Sequence, residues 1–169
     1  MRFRIQQEFA ATPSELVAAF CDAGYLAAMA ELPDLGAPVL EEQHRHGDIV
    51  NQRLRYSFQG KLPAPVLRVI DPDKLTWHEL AEIDTRAERA TFRMVPIHYQ
   101  RFFTCSGGWT LHSPTPVSTV RTIEGDLKVS SPVPFVGGQV ERAIISGLKE
   151  RLAEEPRLYA RWQSGRRYA

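Results

Sequence analysis

The sequence predicts an α+β protein that combines one antiparallel sheet with a long C-terminal helix. Three features indicate this class: a strand and two short helices at the N-terminus, six further extended segments separated by short turns, and a helical repeat near the C-terminus. Strands this close together in sequence favour an antiparallel meander, because parallel strands need long crossover connections. The chain of 169 residues suffices for one domain with its own core. We expect that domain at residues 1–162 and a polar tail at residues 163–169.

The N-terminal segment predicts a strand followed by two short helices. Residues 3–9 alternate between apolar and polar side chains, apart from an inward Gln7, which is typical of a half-buried strand. The stretch 12–15 (TPSE) has the composition of a helix start, with a capping threonine, a proline at the first helical position and a glutamate three residues after the cap. We expect Gly24 to end this helix and a second helix, at 25–32, to stop before Pro33.

The central part of the chain predicts six strands. The link at residues 60–73 holds three prolines and is the least regular part, and Val66–Ile70 within it fits either a short strand or one turn of helix. The predicted strands are Val39–His46, Ile49–Phe58, Leu75–Ile83, Ala90–Ile97, Phe102–His112 and Val117–Val129.

The last predicted element is an amphipathic helix from about residue 139 to about residue 155. Pro156 is expected to kink or end it, because proline lacks the backbone N–H that a helix interior requires. Apolar side chains repeat every four residues along it, at Val140, Ile144, Leu148 and Leu152.

A Pro/Gly-rich segment, PVPFVGG at residues 132–138, separates this helix from the last predicted strand. Prolines cannot donate to a strand ladder, and glycines adopt backbone angles that other residues resist. The segment therefore predicts a sharp reversal of the chain, with Gly137 or Gly138 at a positive φ.

Five short motifs follow one another along these elements: Gly24-Tyr25-Leu26, Gly47-Asp48, Leu62-Pro63, Thr76-Trp77 and Pro134–Glu141. Together with the order of the elements, they resemble the helix-grip fold of the START-like (SRPBCC) superfamily, which includes birch-pollen-allergen-like proteins and polyketide cyclases. Within that superfamily the chain is similar to an uncharacterised bacterial domain family. The resemblance implies a curved sheet of about seven strands wrapped around the C-terminal helix, often with a cavity for sterols, lipids or polycyclic aromatics between them. That family has no established catalytic residues, so the resemblance assigns none here.

We expect an apolar ligand to bind between sheet and helix, with a filled core as the alternative. Tyr56 and Glu79 are the polar groups expected to orient it. Glu79 has the same strand parity as Trp77, and a carboxyl group in an apolar cavity has a raised pKa; a position at the rim or beside an arginine is the alternative for Glu79. The expected apolar wall consists of Phe92, Met94, Phe103, Trp109, Val140, Ile144 and Leu148.

Two other clusters contain residue types found at reactive sites. His44 and His46 are two residues apart in a predicted strand, with Glu42 on the same side, so they could approach one metal ion. A metal site needs three or four ligands, and no other histidine is spaced to join them, so we expect no metal and no cofactor. Cys105 has no identifiable base beside it and is expected to be a small buried hydrophobe.

Composition narrows the range of partners. The formal net charge of +1 gives no long-range attraction to nucleic acid. No stretch approaches the roughly 20 apolar residues of a membrane helix, and the N-terminus lacks the apolar core of a signal peptide. We therefore expect a cytoplasmic protein, a monomer or weak homodimer, without nucleic-acid or integral-membrane partners.

The function these observations favour is binding of a small apolar or amphipathic ligand, without catalysis. Two alternatives remain open at this stage. One is an enzyme of the polyketide cyclase or aromatase type that uses the same pocket, with Glu79, His78 or Tyr56 in acid–base roles. The other is a protein-interaction module of the co-chaperone type, which would expose apolar patches.

Overall fold

A computed structural model describes residues 1–62, 64–68, 70–101, 103–130 and 136–167 of the chain. The strands are β1 (Arg2–Phe9), β2 (Val39–His46), β3 (Ile49–Ser57), β4 (Thr76–Asp84), β5 (Arg89–Pro96), β6 (Phe103–Thr115) and β7 (Ser118–Val129). The helices are α1 (Pro13–Phe20), α2 (Ala23–Ala28), α3 (Ala64–Leu67) and α4 (Val136–Arg167), with short 3-10 turns at Met29–Glu31 and Pro72–Lys74. No helix in the described ranges is long and apolar enough to cross a membrane.

All seven strands form one antiparallel sheet in the order β1-β7-β6-β5-β4-β3-β2. Five strands run as a meander from β2 to β6, β7 follows, and β1 closes the far side against β7. Helix α4 packs against β1 and β7. A seven-stranded antiparallel sheet, two short helices after the first strand and a long C-terminal helix together constitute the helix-grip fold, so the predicted fold class is confirmed.

The first helix begins where the sequence predicts it. Thr12 accepts a hydrogen bond from the Glu15 amide, and the Glu15 carboxylate accepts one from the Thr12 amide at 2.8 Å. The prediction for Gly24 is wrong, since α1 ends at Phe20, with Cys21 as its C-cap, and Gly24 lies inside α2. Asp22 causes the early restart: its carboxylate caps α2 by accepting from the amides of Gly24 and Tyr25.

The C-terminal helix is longer than predicted at both ends. It begins at Val136, so Gly137 and Gly138 lie in its first turn rather than at a positive-φ pivot, and the residues before it, 131–135, are outside the described ranges. The helix also continues through Pro156 to Arg167. Proline removes the amide that would bond to the carbonyl of Leu152, four residues earlier. The side-chain amide of Gln7 donates to that carbonyl instead, which satisfies the group that the proline leaves free.

The segment Val66–Ile70, for which the sequence allows a strand or a helical turn, overlaps one helical turn, α3, which ends at Leu67. The sequence left a strand or a helical turn open at this point, and the described part of the link contains the helical turn. The predicted strand start, Phe102, and the second residue of the Leu62-Pro63 motif lie outside the described residues.

Candidate functional site

The concave face of the sheet carries the side chains expected to line a cavity. Glu79, Met94 and Cys105 lie opposite one another on β4, β5 and β6. One row along, Phe92 lies opposite Gly107. Trp77 and Glu79 share this face, since they pair with Tyr56 and Leu54, which are both buried.

The two adjacent glycines of β6 sit in register without a bulge. Pairing with β7 is continuous from Phe103 to His112, so Phe103 and Trp109 do share one face. A Cβ at Gly107 would lie 2.2 Å from the carbonyl oxygen of Glu124 and 2.9 Å from the ring of Phe92. Glycine is therefore required at Gly107, because the neighbouring strand and the Phe92 ring approach the backbone too closely for a side chain.

Three adjoining pockets lie between this face and α4. We call them the Glu79 lobe, of about 140 Å³, the central lobe, of about 90 Å³, and the loop lobe, also of about 90 Å³. Trp77 lines all three lobes. Another concave region of about 770 Å³ is a depression, open to solvent, bordered largely by outward-facing polar residues of β2–β6 such as Glu42, His44 and Arg93. It lacks the apolar enclosure of a ligand pocket.

Each of the nine residues named from the sequence lines at least one lobe. Their role in binding stays a prediction. The Glu79 lobe includes Tyr56, Glu79, Phe92, Met94, Trp109 and Leu148; the central lobe includes Met94, Phe103, Ile144 and Leu148; the loop lobe includes Phe103, Val140 and Ile144.

A buried polar network closes one side of the Glu79 lobe. Arg121 on β7 forms an ion pair with Glu155 on α4, and its Nε donates to the Gln7 side-chain oxygen at 2.7 Å. The Tyr25 hydroxyl donates to the second oxygen of Glu155 at 3.1 Å. The guanidinium also lies 4.6 Å from the centre of the Phe20 ring. The charges of Arg121 and Glu155 are thus compensated inside the protein.

A second buried arginine, Arg151, fixes the segment after α2. Its guanidinium donates to the carbonyl oxygens of Leu32 and Pro33, each at 3.0 Å, and to those of Met29 and Leu35 at 3.1 and 3.3 Å. One side chain on α4 thereby holds the backbone that borders the central and Glu79 lobes.

Tyr56 and Glu79 differ from these residues because no described residue forms a hydrogen bond with either polar group. Burial, the largest effect, raises the pKa of Glu79 to about 7, with opposing contributions from Arg121 and Glu155. Burial and the nearby Glu79 charge raise the pKa of Tyr56 well above its usual value. The lobe thus presents one hydroxyl and one carboxyl group that no described residue engages, beside the enclosed and equally unpartnered indole N–H of Trp77.

The other groups considered from the sequence do not reach the lobes as reactive groups. His78 lies on the opposite face of β4, with its Nε2 at 3.2 Å from Glu41 and 3.4 Å from Arg53, so it cannot act in the pocket. Cys105 is buried, and burial raises the pKa of its thiol to about 12, which disfavours the thiolate. Within the described ranges no three His, Cys, Asp or Glu side chains cluster as metal ligands would.

Sequence reasoning missed several residues of the site, among them Trp77 and the charged residues Arg121, Arg151 and Glu155. Arg121 has the same strand parity as Ile123 and Leu127, and Glu155 falls one turn after Arg151 and beside the stripe that includes Leu152. A charged residue at a position where the periodicity requires an apolar one is the signal that could have identified them.

A family model described as a protein of unknown function (DUF2505) matches residues 4–162. The chain belongs to the DUF2505 family. No curated protein sequence matches this DUF2505 chain significantly.

Solved structures share the fold of this DUF2505 chain at low sequence identity. TTHA0849 from Thermus thermophilus is 17% identical, with a TM-score of 0.64 over 98% of this chain and 99% of that one. The Zhui aromatase/cyclase from Streptomyces sp. R1128 is 14% identical, with a TM-score of 0.62 over 99% and 94% of the two chains. A START superfamily protein from Mycobacterium smegmatis is 14% identical, with a TM-score of 0.50 over 98% and 95%. These likenesses show that the chain shares its fold with those proteins.

Proposed function

We propose that this protein binds a small, largely apolar ligand between its sheet and helix α4. The observation that carries the proposal is the set of three adjoining lobes, lined mainly by apolar side chains, on the concave side of the sheet. A tightly packed core leaves few voids larger than a water molecule. The volume of the Glu79 lobe, about 140 Å³, is close to that of an engineered apolar cavity of about 150 Å³ that binds benzene in another protein.

The fold neighbours are consistent with this proposal. One is an aromatase/cyclase and another a START superfamily protein. The Mycobacterium smegmatis and Streptomyces proteins share the fold, and the lobes of this chain lie between its sheet and α4.

Titration calorimetry with p-xylene tests the proposal directly. Leu148 borders both the Glu79 and the central lobe, so Leu148→Trp should fill them and weaken binding about tenfold or more. The matched control is Val117→Trp, because Val117 is 73% exposed at the turn between β6 and β7. The control should bind like the wild type. Absence of p-xylene binding to a folded wild-type protein would overturn the proposal.

An enzyme of the cyclase type is the second candidate, favoured by one observation. Glu79 has a pKa of about 7 and lines the same lobe as Tyr56, and a carboxyl group with a pKa near the working pH is suited to general acid–base catalysis. His78 drops out of this alternative because it lies outside the pocket. Turnover of a polyketone substrate that is lost in Glu79→Gln, with ligand affinity retained, would support catalysis over binding alone.

The co-chaperone alternative has less support. In the described part of the chain the large apolar side chains that are exposed are Met1, Val39, Leu67 and Val117. They come from four separate segments rather than one surface, whereas an interaction patch requires contiguous apolar area.

A further inference from the structure

We propose that the Glu79 lobe recognises the hydroxyl group of a neutral ring-containing ligand, such as a phenol or a cyclic alcohol, with the Tyr56 hydroxyl as donor and the Glu79 carboxyl as acceptor. This inference rests on the proposed function and specifies its ligand class. A hydroxyl group suits the pair because it accepts one hydrogen bond and donates another.

The polar groups that line the lobe divide into engaged and unengaged ones. Arg121 and Glu155 bond to each other, and Arg151 bonds to four backbone carbonyls. Tyr56 and Glu79 have no hydrogen-bond partner among the described residues, and neither polar group is fully enclosed by protein. The indole N–H of Trp77, in the same lobe, also has no described partner, but protein atoms enclose it completely. Since buried polar groups in folded proteins are nearly always bonded, two such groups beside a cavity indicate that a ligand or solvent supplies the partners.

The register of the sheet brings the two groups close together. Tyr56 pairs with Trp77 across β3 and β4, and Glu79 lies two residues further along β4 on the same face. Diagonal neighbours in an antiparallel pair are about 7–8 Å apart at the backbone, which long side chains span. The Glu79 charge contributes to the raised pKa of Tyr56, an independent sign of their proximity. One ligand oxygen can therefore contact both.

The charges around the lobe disfavour an anionic ligand. Glu79 faces the Arg121–Glu155 pair from β7 and α4, Arg151 from α4 and Tyr56 from β3. Arg121 is neutralised by Glu155, and the Arg151 guanidinium is directed at backbone carbonyls. A ligand carboxylate would thus meet the Glu79 carboxyl group, and as pH rises through about 7 it would meet a second negative charge. A neutral hydroxyl group avoids this repulsion.

Three para-substituted toluenes separate the possibilities: p-cresol, its near-isostere p-xylene and the anion p-toluate, each measured by titration calorimetry at pH 7.5. We expect wild-type protein to bind p-cresol about tenfold more tightly than p-xylene, and p-toluate more weakly than either. Tyr56→Phe and Glu79→Met should reduce the cresol-to-xylene preference to within about threefold, without loss of p-xylene affinity. Glu82→Met is the matched control, because Glu82 lies on the opposite, exposed face of β4, and it should keep the full preference.

Each result discriminates between the two proposals. If p-xylene binds as tightly as p-cresol, or p-toluate binds most tightly, the proposal that the lobe recognises a hydroxyl group is wrong. The proposal that the protein binds an apolar ligand is then still supported. The same conclusion follows if the preference survives in both pocket variants. If none of the probes binds the folded wild type, the proposed function itself fails, and the hydroxyl site fails with it. Glu79→Gln, which keeps an acceptor oxygen, covers the case in which Glu79→Met does not fold and should retain most of the preference.

Discussion

At the scale of single residues, the buried charged side chains are concentrated where α4 meets β1 and β7. Arg121 is 6% exposed and Glu155 1% exposed, and Gln7 bonds to both. Forming a buried ion pair of this kind costs desolvation energy, which offsets much of the attraction between the charges. Removing only one partner is strongly destabilising, because the other charge then stays buried and uncompensated. The pair therefore links α4 to β7 without being a large source of net stability.

We predict that Glu155→Gln lowers the free energy of unfolding by about 3–5 kcal/mol, because it strands the Arg121 charge. The double variant Arg121→Met with Glu155→Leu removes both charges and should be less destabilised than Glu155→Gln alone. Urea unfolding followed by circular dichroism provides both values. If the loss of stability in the double variant equals the sum of the losses in the single variants Arg121→Met and Glu155→Leu, the two charges are not coupled.

Glu79 makes stability depend on pH. Its pKa is about 7 in the folded protein and 4.5 ordinarily, so between these values the folded state binds more protons than the unfolded state. Stability from this group is therefore present below pH 4.5 and lost as pH rises through 7. We predict that Glu79→Gln matches the wild type near pH 4.5 and is more stable at pH 8 by on the order of 2–3 kcal/mol. A stability difference independent of pH would contradict the raised pKa.

At the element scale the unusual feature is that α4 passes through Pro156 without ending. The Leu152 carbonyl, which loses its helical donor at Pro156, accepts from the Gln7 side chain on β1. Strand and helix are thereby joined by a hydrogen bond that exists because of the proline.

A double-mutant cycle tests this relation. Pro156→Ala restores an amide donor four residues after Leu152, so the carbonyl no longer depends on Gln7. We predict that Gln7→Leu is less destabilising in the Pro156→Ala background than in the wild type, by about 1 kcal/mol. Equal costs in the two backgrounds, measured by urea unfolding, would show that the Gln7 contact with Leu152 adds nothing.

On the scale of the whole molecule, the sheet curves around α4 and leaves lobes that neither layer fills. Polar groups close one side, where Arg151 holds the segment after α2 and Arg121 pairs with Glu155. The loop lobe lies at the other side, bordered by residues such as Leu62, Ile70 and Tyr99. An occupant would contact both layers and so stabilise the domain as a unit.

We predict that p-xylene at ten times its dissociation constant raises the melting temperature by about 3–5 °C, since binding to the folded state alone contributes RT ln(1 + [L]/Kd), about 1.4 kcal/mol here. Leu148→Trp should show little or no shift at the same concentration, because its lobes are filled. A shift of equal size in this variant would place the binding site elsewhere.

The sequence by itself determined the order of the elements, the strand parity and the fold class. Alternation places Trp77 and Glu79 on one face and His78 on the other, and turn residues limit the possible sheet connections to a meander. Local rules decided these features because each depends on neighbours within a few residues. They also placed the cap of α1, although they ended α1 at Gly24 without recognising that Asp22 caps a new helix.

Only the tertiary structure decided what surrounds each side chain. Periodicity marks Arg121 and Glu155 as inward-facing but cannot show that they meet each other across β7 and α4. Local sequence rules predict that the last helix is kinked or ends at Pro156. They cannot foresee that the side-chain amide of Gln7 compensates for the proline, because Gln7 lies on a strand 145 positions before Leu152 in the chain. Likewise, the lobes beside Tyr56 and Glu79 exist because the curved sheet and α4 do not fill the space between them. Contacts between distant segments set burial, pKa and cavity shape, and these are the properties on which the proposed ligand depends.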